Sequence, residues 1–156
     1  TELLSIGNIV VLRSMTKDYA LSGLRLGYAL CPGDIVRSLL DCQPSWSVSA
    51  AAQAAGIAAL SDREHLLRGI DCVRESQGYL RRELTGLGLR ILPSAANFML
   101  VEVGAATSLR RKLLLRGICV RDCSSFGLPH YIRVGVRTLP ECQRLVAALR
   151  EVQSCD

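Results

Sequence analysis

A single lysine stands between a threonine and an aspartate in the segment SMTKDYALSGLRLG, residues 14–27. Arginine supplies almost all of the basic side chains, since only Lys17 and Lys112 among the 19 basic residues are lysines. Lys17 follows a short apolar run that is typical of a buried strand. An amine at the end of such a strand is partly desolvated, which favours its neutral, nucleophilic form. Lys17 is therefore a candidate for covalent catalysis.

The residues around Lys17 include groups that bind phosphate. A neutral amine forms a Schiff base with an aldehyde cofactor, and pyridoxal phosphate is the commonest cofactor of that kind. Its phosphate dianion requires a fixed cation and hydroxyl groups. Arg25, Ser14 and Thr16 supply both within a few residues of Lys17. On spacing alone, an ordinary solvated lysine is the alternative.

Hydrophobic periodicity predicts an α/β chain that positions these residues near strand ends. Lys17 is expected on a loop between the first two strands. These two strands are expected to need further strands as partners, because an isolated hairpin is only marginally stable. The predicted strands are residues 8–14, 24–31, 89–92, 97–103, 118–122 and 131–137, and the predicted helices are residues 34–42, 50–60, 61–87, 107–117 and 139–153.

The composition argues against several classes of protein. The net charge of +5 is spread along the chain and aromatic residues make up only 4%, whereas nucleic-acid binding favours clustered bases with interleaved aromatics. No apolar run approaches the ~20 residues of a membrane span. The seven cysteines include no C-x-x-C pair, so we expect no metal site, and free thiols in a reducing cytoplasm. Because the sequence is 49% hydrophobic and opens without Met, we expect a piece of a longer protein.

The pattern Ser14-x-x-Lys17-x7-Arg25 resembles the cofactor-lysine signature of the fold-type I pyridoxal-phosphate enzymes, the class I/II aminotransferase family. The stretch LRSMTKDYALSGLRLGYAL is especially similar to the branch of histidinol-phosphate aminotransferases and threonine-phosphate decarboxylases. The resemblance implies that Lys17 carries pyridoxal 5'-phosphate as a Schiff base. It also implies that Ser14, Thr16 and Arg25 hold the cofactor phosphate.

A second stretch, VRDCSSFGLPHYIRVGVRT, resembles the C-terminal substrate-binding segment of the same branch. By that resemblance Arg133 binds the α-carboxylate of the substrate, for which the planar fork of a guanidinium is well suited. Arg121 matches the position that binds the substrate's own phosphate. Arg116 and Arg137 are nearby alternatives for that second role.

The resemblance runs over essentially the whole chain and implies its domain organisation. Residues 1–45 would be the C-terminal part of the pyridoxal-phosphate-binding large domain, residues 46–87 interdomain helices, and residues 88–156 a small C-terminal α/β sandwich domain. In the family, the aspartate that pairs with the pyridine nitrogen, the stacking aromatic and the Gly-rich phosphate turn all precede the lysine. We therefore expect this part alone to bind the cofactor poorly. The full-length protein is expected to be a homodimer, because family active sites take residues from both subunits.

Two functions from different classes are predicted. The first is an enzyme of this family that acts on a small phosphorylated amino compound. The segments QPSWSVS and RVGVRT favour an activity like that of L-threonine-O-3-phosphate decarboxylase, with histidinol-phosphate aminotransferase or a general class I/II aminotransferase as alternatives. The second is a non-catalytic α/β interaction module in which the site residues coincide by chance. The combined motifs favour the enzyme.

Overall fold

A computed structural model describes residues 7–154 of the chain. The chain divides into two compact units, Thr1–Gly69 and Ile70–Asp156, and each is described by itself. The boundary between the units lies inside the longest helix, Arg63–Gly86. The family domain boundaries inferred from the resemblance, after residues 45 and 87, stay a prediction.

The first unit consists of a β-hairpin followed by helices. Strands β1 (Val11–Ser14) and β2 (Gly27–Leu30) are antiparallel. The chain between them contains a four-residue helix, α1 (Met15–Asp18), and a 3₁₀ turn. Lys17 therefore lies in a short helix and not on the predicted loop, because Ser14 caps that helix at its N-terminus. The elements are β1 (Val11–Ser14), α1 (Met15–Asp18), the 3₁₀ turn (Ser22–Leu24), β2 (Gly27–Leu30), α2 (Gly33–Cys42), α3 (Ala50–Ser61) and the start of α4 (Arg63–Gly86).

The first strand is shorter and more exposed than the sequence pattern predicts. It begins at Val11, and Leu12 within it is 78% exposed. The physical reason is that β1 and β2 form a two-stranded sheet, which leaves much of its surface open. The apolar pattern alone does not distinguish this strand from one that is covered on both faces.

The second unit is a four-stranded antiparallel sheet with helices, as the prediction of an α/β fold requires. The strand order is β3 (Arg90–Ile91), β4 (Phe98–Glu102), β6 (Tyr131–Gly135) and β5 (Arg121–Asp122). The core lies between one face of this sheet and the helices, and Leu80, Met99, Leu113, Ile132 and Val146 are completely buried in it. The elements that follow α4 are β3 (Arg90–Ile91), β4 (Phe98–Glu102), α5 (Ala106–Leu114), β5 (Arg121–Asp122), a second 3₁₀ turn (Ser124–Phe126), β6 (Tyr131–Gly135) and α6 (Leu139–Ser154).

The cysteines of residues 7–154 are all free thiols; Cys155 lies outside the described residues. Burial raises the pKa of the Cys123 and Cys142 thiols, because a thiolate is poorly solvated there. Within residues 7–154, no helix combines the length and apolar composition needed to cross a membrane.

Candidate active site

The candidate cofactor residues lie at the end of the β1–β2 hairpin, where the chain passes from one strand to the other. Ser14, the last residue of β1, pairs with Gly27, the first residue of β2. A Cβ atom at position 27 would lie only 2.8 Å from the carbonyl oxygen of Arg13, so the strands can approach this closely only with glycine there. Residues 14–27 are called the lysine turn below.

Two hydroxyl groups meet at the start of the lysine turn. Ser14 Oγ lies 3.0 Å from Thr16 Oγ1 and accepts a hydrogen bond from the Thr16 backbone N–H at 3.4 Å. Beyond them, the Arg13 guanidinium and the Asp18 carboxylate form an exposed ion pair at 2.7 Å. The cap of α1 thus places the Ser14 and Thr16 hydroxyls side by side, where both can donate to one anion.

Lys17 follows this hydroxyl pair and is exposed. Among residues 7–154, its ammonium group has no hydrogen-bond or ion-pair partner. The structure differs here from the expected desolvation, because the buried residue of α1 is Met15 and not Lys17. The Lys17 side chain is accordingly accessible to a ligand that enters the turn.

Arg25 occupies an unusual backbone conformation. Its φ of 52° and ψ of 42° lie in the left-handed region, which is uncommon for a residue with a side chain. Its Nη1 donates to the Ser22 carbonyl at 3.0 Å, and within residues 7–154 no carboxylate pairs with it. The structure brings Ser14 and Thr16 together, whereas the Arg25 guanidinium contacts neither hydroxyl.

Helix α3 supports the lysine turn through close packing. Met15 and Ala52 are each only 1% exposed. Gly56 faces the same region, and a Cβ atom there would overlap Leu26 Cδ2 and lie 3.5 Å from Met15 Sδ. Leu26 ties the two ends of the lysine turn together, because its carbonyl accepts a hydrogen bond from the Met15 N–H at 3.1 Å. The small side chains of α3 therefore fix the backbone that carries the candidate cofactor residues.

The two candidate substrate residues lie in the second unit. Arg121 in β5 and Arg133 in β6 occupy directly opposed positions in the sheet. Ile132 and Val134 face the core, so Arg133 lies on the other, exposed face, and Arg121 lies there with it. Arg121 and Arg133 are called the arginine pair below.

Each member of the arginine pair lies over a phenylalanine ring. The Arg121 Cζ atom is 5.2 Å from the centroid of Phe126, and the Arg133 Cζ atom is 5.2 Å from the centroid of Phe98. Both distances are within the range of a cation–π contact. These are the only two phenylalanines in the sequence.

Arg116 and Arg137, the alternatives for Arg121, are both engaged by carboxylates. Arg116 Nε pairs with Glu151 at 3.2 Å, and Arg137 Nη2 pairs with Glu141 at 2.8 Å. In contrast, neither Arg121 nor Arg133 has an ion-pair partner in the part of the chain that the structure describes. The arginine pair therefore keeps its charge available to an anionic ligand.

Comparison with models of protein families shows to which family the chain belongs. The model of the family described as aminotransferase class I and II matches residues 3–149. The chain belongs to the aminotransferase class I and II family. Members of this family are pyridoxal-phosphate-dependent enzymes, so the interpretation as a non-catalytic module loses its support.

Individual proteins and solved structures of the family are similar to most of this chain. A histidinol-phosphate aminotransferase of Symbiobacterium thermophilum is 41% identical over 144 residues, which are 92% of this chain and 40% of that protein. The structure of histidinol-phosphate aminotransferase from Sinorhizobium meliloti with pyridoxal-5'-phosphate matches with a TM-score of 0.80 and 31% identity over 96% of this chain and 42% of that one. The structure of L-threonine-O-3-phosphate decarboxylase from Porphyromonas gingivalis matches with a TM-score of 0.79 and 25% identity over 95% and 47%.

The chain spans about two fifths of the length of the curated relatives it matches. Those relatives are histidinol-phosphate aminotransferases, which was the alternative prediction from the sequence. The decarboxylase, which the sequence motifs favoured, is represented by less similar structures. The comparisons thus favour the aminotransferase over the decarboxylase as the nearer relative.

The donor groups of the lysine turn fit the cofactor of the aminotransferase class I and II family. The paired hydroxyls of Ser14 and Thr16 and the guanidinium of Arg25 are donors suited to a phosphate dianion. The Lys17 side chain has no partner among residues 7–154, and a primary amine is the type of group that combines with an aldehyde. The types of donor and the amine in the lysine turn therefore fit the cofactor, whereas the Arg25 guanidinium contacts the Ser22 carbonyl in this structure.

The sequence alone did not predict the residues that pack against the lysine turn and the arginine pair. Met15, Leu26 and Gly56 meet through contacts between distant positions, and only the small-residue composition of α3 indicated close packing. Phe98 and Phe126 gave no signal beyond the scarcity of phenylalanine in this sequence. Their contacts with the arginine pair emerge only from the folded sheet.

Proposed function

We propose that the full-length protein is a pyridoxal-phosphate-dependent aminotransferase that acts on histidinol phosphate. The observation that carries the proposal is the lysine turn, in which a lysine without a partner among residues 7–154 follows two adjacent hydroxyls. The arginine of the family signature lies in the same turn. The substrate is inferred from the curated relatives, which carry the name histidinol-phosphate aminotransferase.

Lys17 is proposed to hold the cofactor covalently, with Ser14, Thr16 and Arg25 holding its phosphate. Pyridoxal phosphate, when bound, supplies an aldehyde that combines with amines and a ring that draws electrons from the substrate carbon. After the substrate has displaced it, the Lys17 Nζ atom would move a proton to and from the carbon that bears the substrate nitrogen. An arginine cannot replace it, because a guanidinium stays protonated.

The arginine pair is proposed to bind the anionic groups of substrates. Arg121 would bind the phosphate group, and Arg133 would bind the carboxylate of amino-acid substrates. Both side chains are exposed on one face of the sheet and form no ion pair within residues 7–154. Histidinol phosphate has no carboxylate, so Arg133 would contribute to its binding only through a contact with the phosphate.

Threonine-phosphate decarboxylation is the second candidate function. The QPSWSVS segment favours it on sequence, and the decarboxylase from Porphyromonas gingivalis shares the fold at 25% identity. Both candidate substrates carry a phosphate, but only phosphothreonine carries the carboxylate that leaves as carbon dioxide. The two activities can therefore be separated by their products.

The test uses the full-length protein supplied with pyridoxal phosphate. We expect a new absorbance band when the cofactor binds, borohydride trapping of the cofactor on Lys17 in a peptide map, and transfer of the amino group from histidinol phosphate to a 2-oxo acid. Lys17→Ala should abolish both trapping and transfer. Trapping on another lysine such as Lys112 would refute the assignment, and carbon dioxide release from phosphothreonine without amino transfer would establish the second candidate instead.

The full-length protein is also proposed to be a homodimer, by analogy with the family. The high hydrophobic content of the chain is compatible with subunit packing. Sedimentation at decreasing protein concentration tests this proposal. A monomer that stays fully active at high dilution would overturn it.

A further inference from the structure

The chain that follows Arg121 folds back onto its guanidinium group. Residues Ser124–Phe126 form a 3₁₀ turn directly after β5. From this turn, the Ser125 Oγ atom accepts a hydrogen bond from Arg121 Nη2 at 3.1 Å, and the Phe126 ring lies under the same guanidinium at 5.2 Å. One short turn thus contacts Arg121 through a hydroxyl and through an aromatic face.

Asp122 anchors this turn to the rest of the fold. Its Oδ1 atom accepts from the backbone N–H and the hydroxyl of Ser124, at 2.8 and 2.6 Å, and its Oδ2 atom accepts from the Thr107 hydroxyl in α5 at 2.6 Å. The side-chain hydrogen bonds from Ser124 and Thr107 hold the pKa of Asp122 at about 2. The carboxylate therefore stays ionised and keeps the turn in place at physiological pH.

Hydrophobic packing does not account for the position of the Phe126 ring. Phe126 is 57% exposed, so burial in the core contributes little to its location. Its defined contact is with Arg121, a residue that directly opposes Arg133. Two guanidiniums in opposed positions repel each other, and a ring beneath one of them restricts the directions in which that side chain can move away.

We propose that Phe126 is a positioning residue for Arg121, and that the turn anchored by Asp122 thereby sets the preference for phosphorylated over unphosphorylated substrates. This inference rests on the proposed role of Arg121 in binding the substrate phosphate. The ring and the Ser125 hydroxyl each engage one part of the guanidinium, which leaves its remaining N–H donors oriented for an anion.

The chain offers a matched control in Phe98. Its ring lies at the same distance from Arg133 as the Phe126 ring does from Arg121. Phe98→Leu removes an equivalent contact from the other member of the arginine pair. A general loss of aromatic packing would affect both variants in the same way, whereas positioning of Arg121 predicts a difference between them.

The experiment measures kcat/KM of the full-length enzyme for histidinol phosphate and for histidinol. The ratio of the two values reports recognition of the phosphate, and a purely structural defect would lower both values together. We expect Phe126→Leu to lower the ratio about threefold, the scale of one exposed cation–π contact. Adding Ser125→Ala should lower it about tenfold. Phe126→Tyr, which keeps the ring, should retain the wild-type ratio, and Phe98→Leu should change the ratio less than Phe126→Leu does.

The outcomes separate this inference from the proposed function. If the wild-type enzyme does not prefer the phosphorylated compound, the role of Arg121 is wrong and the inference falls with it. If the wild type does prefer it and Phe126→Leu keeps the full preference, only the positioning role is overturned.

Where histidinol is turned over too slowly to measure, competitive inhibition by inorganic phosphate replaces the ratio of kcat/KM values. The inhibition constant should then rise in Phe126→Leu and stay unchanged in Phe126→Tyr, and an unchanged constant in both would overturn the positioning role.

Discussion

Arg121 and Arg133 oppose each other on adjacent strands of the four-stranded sheet. Like charges in directly opposed positions lower the stability of a sheet, and the part of the chain that the structure describes provides no carboxylate to pair with either one. Arg116 and Arg137 in the same unit do have such partners. The arginine pair thus carries an electrostatic cost that a bound anion would offset, as expected for a binding site.

The first prediction distinguishes the roles of the two arginines. Arg121→Ala should lower kcat/KM for histidinol phosphate and phosphothreonine by about tenfold or more, the scale of a charge-assisted hydrogen bond. The unphosphorylated analogues should be spared. Arg133→Lys keeps the charge but loses the two-donor fork, so it should impair phosphothreonine and threonine and spare histidinol.

Steady-state kinetics with these four compounds checks both substitutions at once. Arg116→Ala is the control, because that guanidinium is already paired with Glu151. If neither Arg121→Ala nor Arg133→Lys distinguished phosphorylated from unphosphorylated compounds, the phosphate-substrate hypothesis should be abandoned in favour of a general aminotransferase.

The second prediction concerns the cofactor phosphate. Arg25→Ala should weaken pyridoxal phosphate binding to the full-length protein by about tenfold or more, because a guanidinium hydrogen bond to a dianion is strong. Fluorescence or absorbance titration of the apoprotein measures the dissociation constant. Arg37→Ala in α2, which removes another exposed arginine, is the matched control. An unchanged dissociation constant in Arg25→Ala would rule out the proposed role.

The sequence predicted the order of the elements because hydrophobic period and turn signals are local. Every predicted helix is present, with α2 at Gly33–Cys42 and α6 at Leu139–Ser154 close to the expected bounds. The strand of residues 118–122 was predicted too long, since only Arg121–Asp122 pairs with β6. Its pairing depends on the partner strand, which a local pattern does not contain.

The parts of the candidate site that escaped prediction depend on contacts between distant residues. The register that opposes Arg121 to Arg133 is fixed by a complete sheet. Helix α1 was missed because it has only four residues, and because the serine that caps it, Ser14, is also typical of turns. Exposure of Lys17 likewise depends on which side of α1 faces α3, and a one-dimensional pattern over four residues cannot specify that side.

The third prediction tests the support of the lysine turn by α3. Gly56→Ala should destabilise the protein by about 1–3 kcal/mol, the usual cost of overpacking, because the new Cβ atom would overlap Leu26 Cδ2. The same substitution at Gly69 should be neutral or stabilising, since that position is open and alanine is the better helix former. Equilibrium urea unfolding provides both values.

A second substitution shows whether the overlap with Leu26 is the cause. Leu26→Ala in the Gly56→Ala background should be less destabilising than Leu26→Ala alone, because each change makes room for the other. Strict additivity of the two effects would show that the close approach of α3 to Leu26 does not limit this position.

The fourth prediction is a pH dependence that comes from the start of α6. Hydrogen bonds from Arg137 and then from Thr138 lower the pKa of Glu141 from 4.5 to about 2. A carboxylate with a depressed pKa in the folded state contributes stability above its ordinary pKa, and this contribution is lost as the pH falls towards the folded value. Glu141→Gln should therefore be less stable than wild type at pH 7, and the gap should narrow between pH 4.5 and about 2. Unfolding free energies of the two proteins at matched pH values measure this gap.

Asp122 also has a pKa of about 2, but it titrates in both proteins, so its contribution cancels in the difference between their unfolding free energies. Glu64→Gln, at another exposed glutamate paired with an arginine, controls for the loss of an ordinary surface ion pair. A gap between wild type and Glu141→Gln that stayed constant down to pH 2.5 would show that this carboxylate is not specially stabilised in the folded protein.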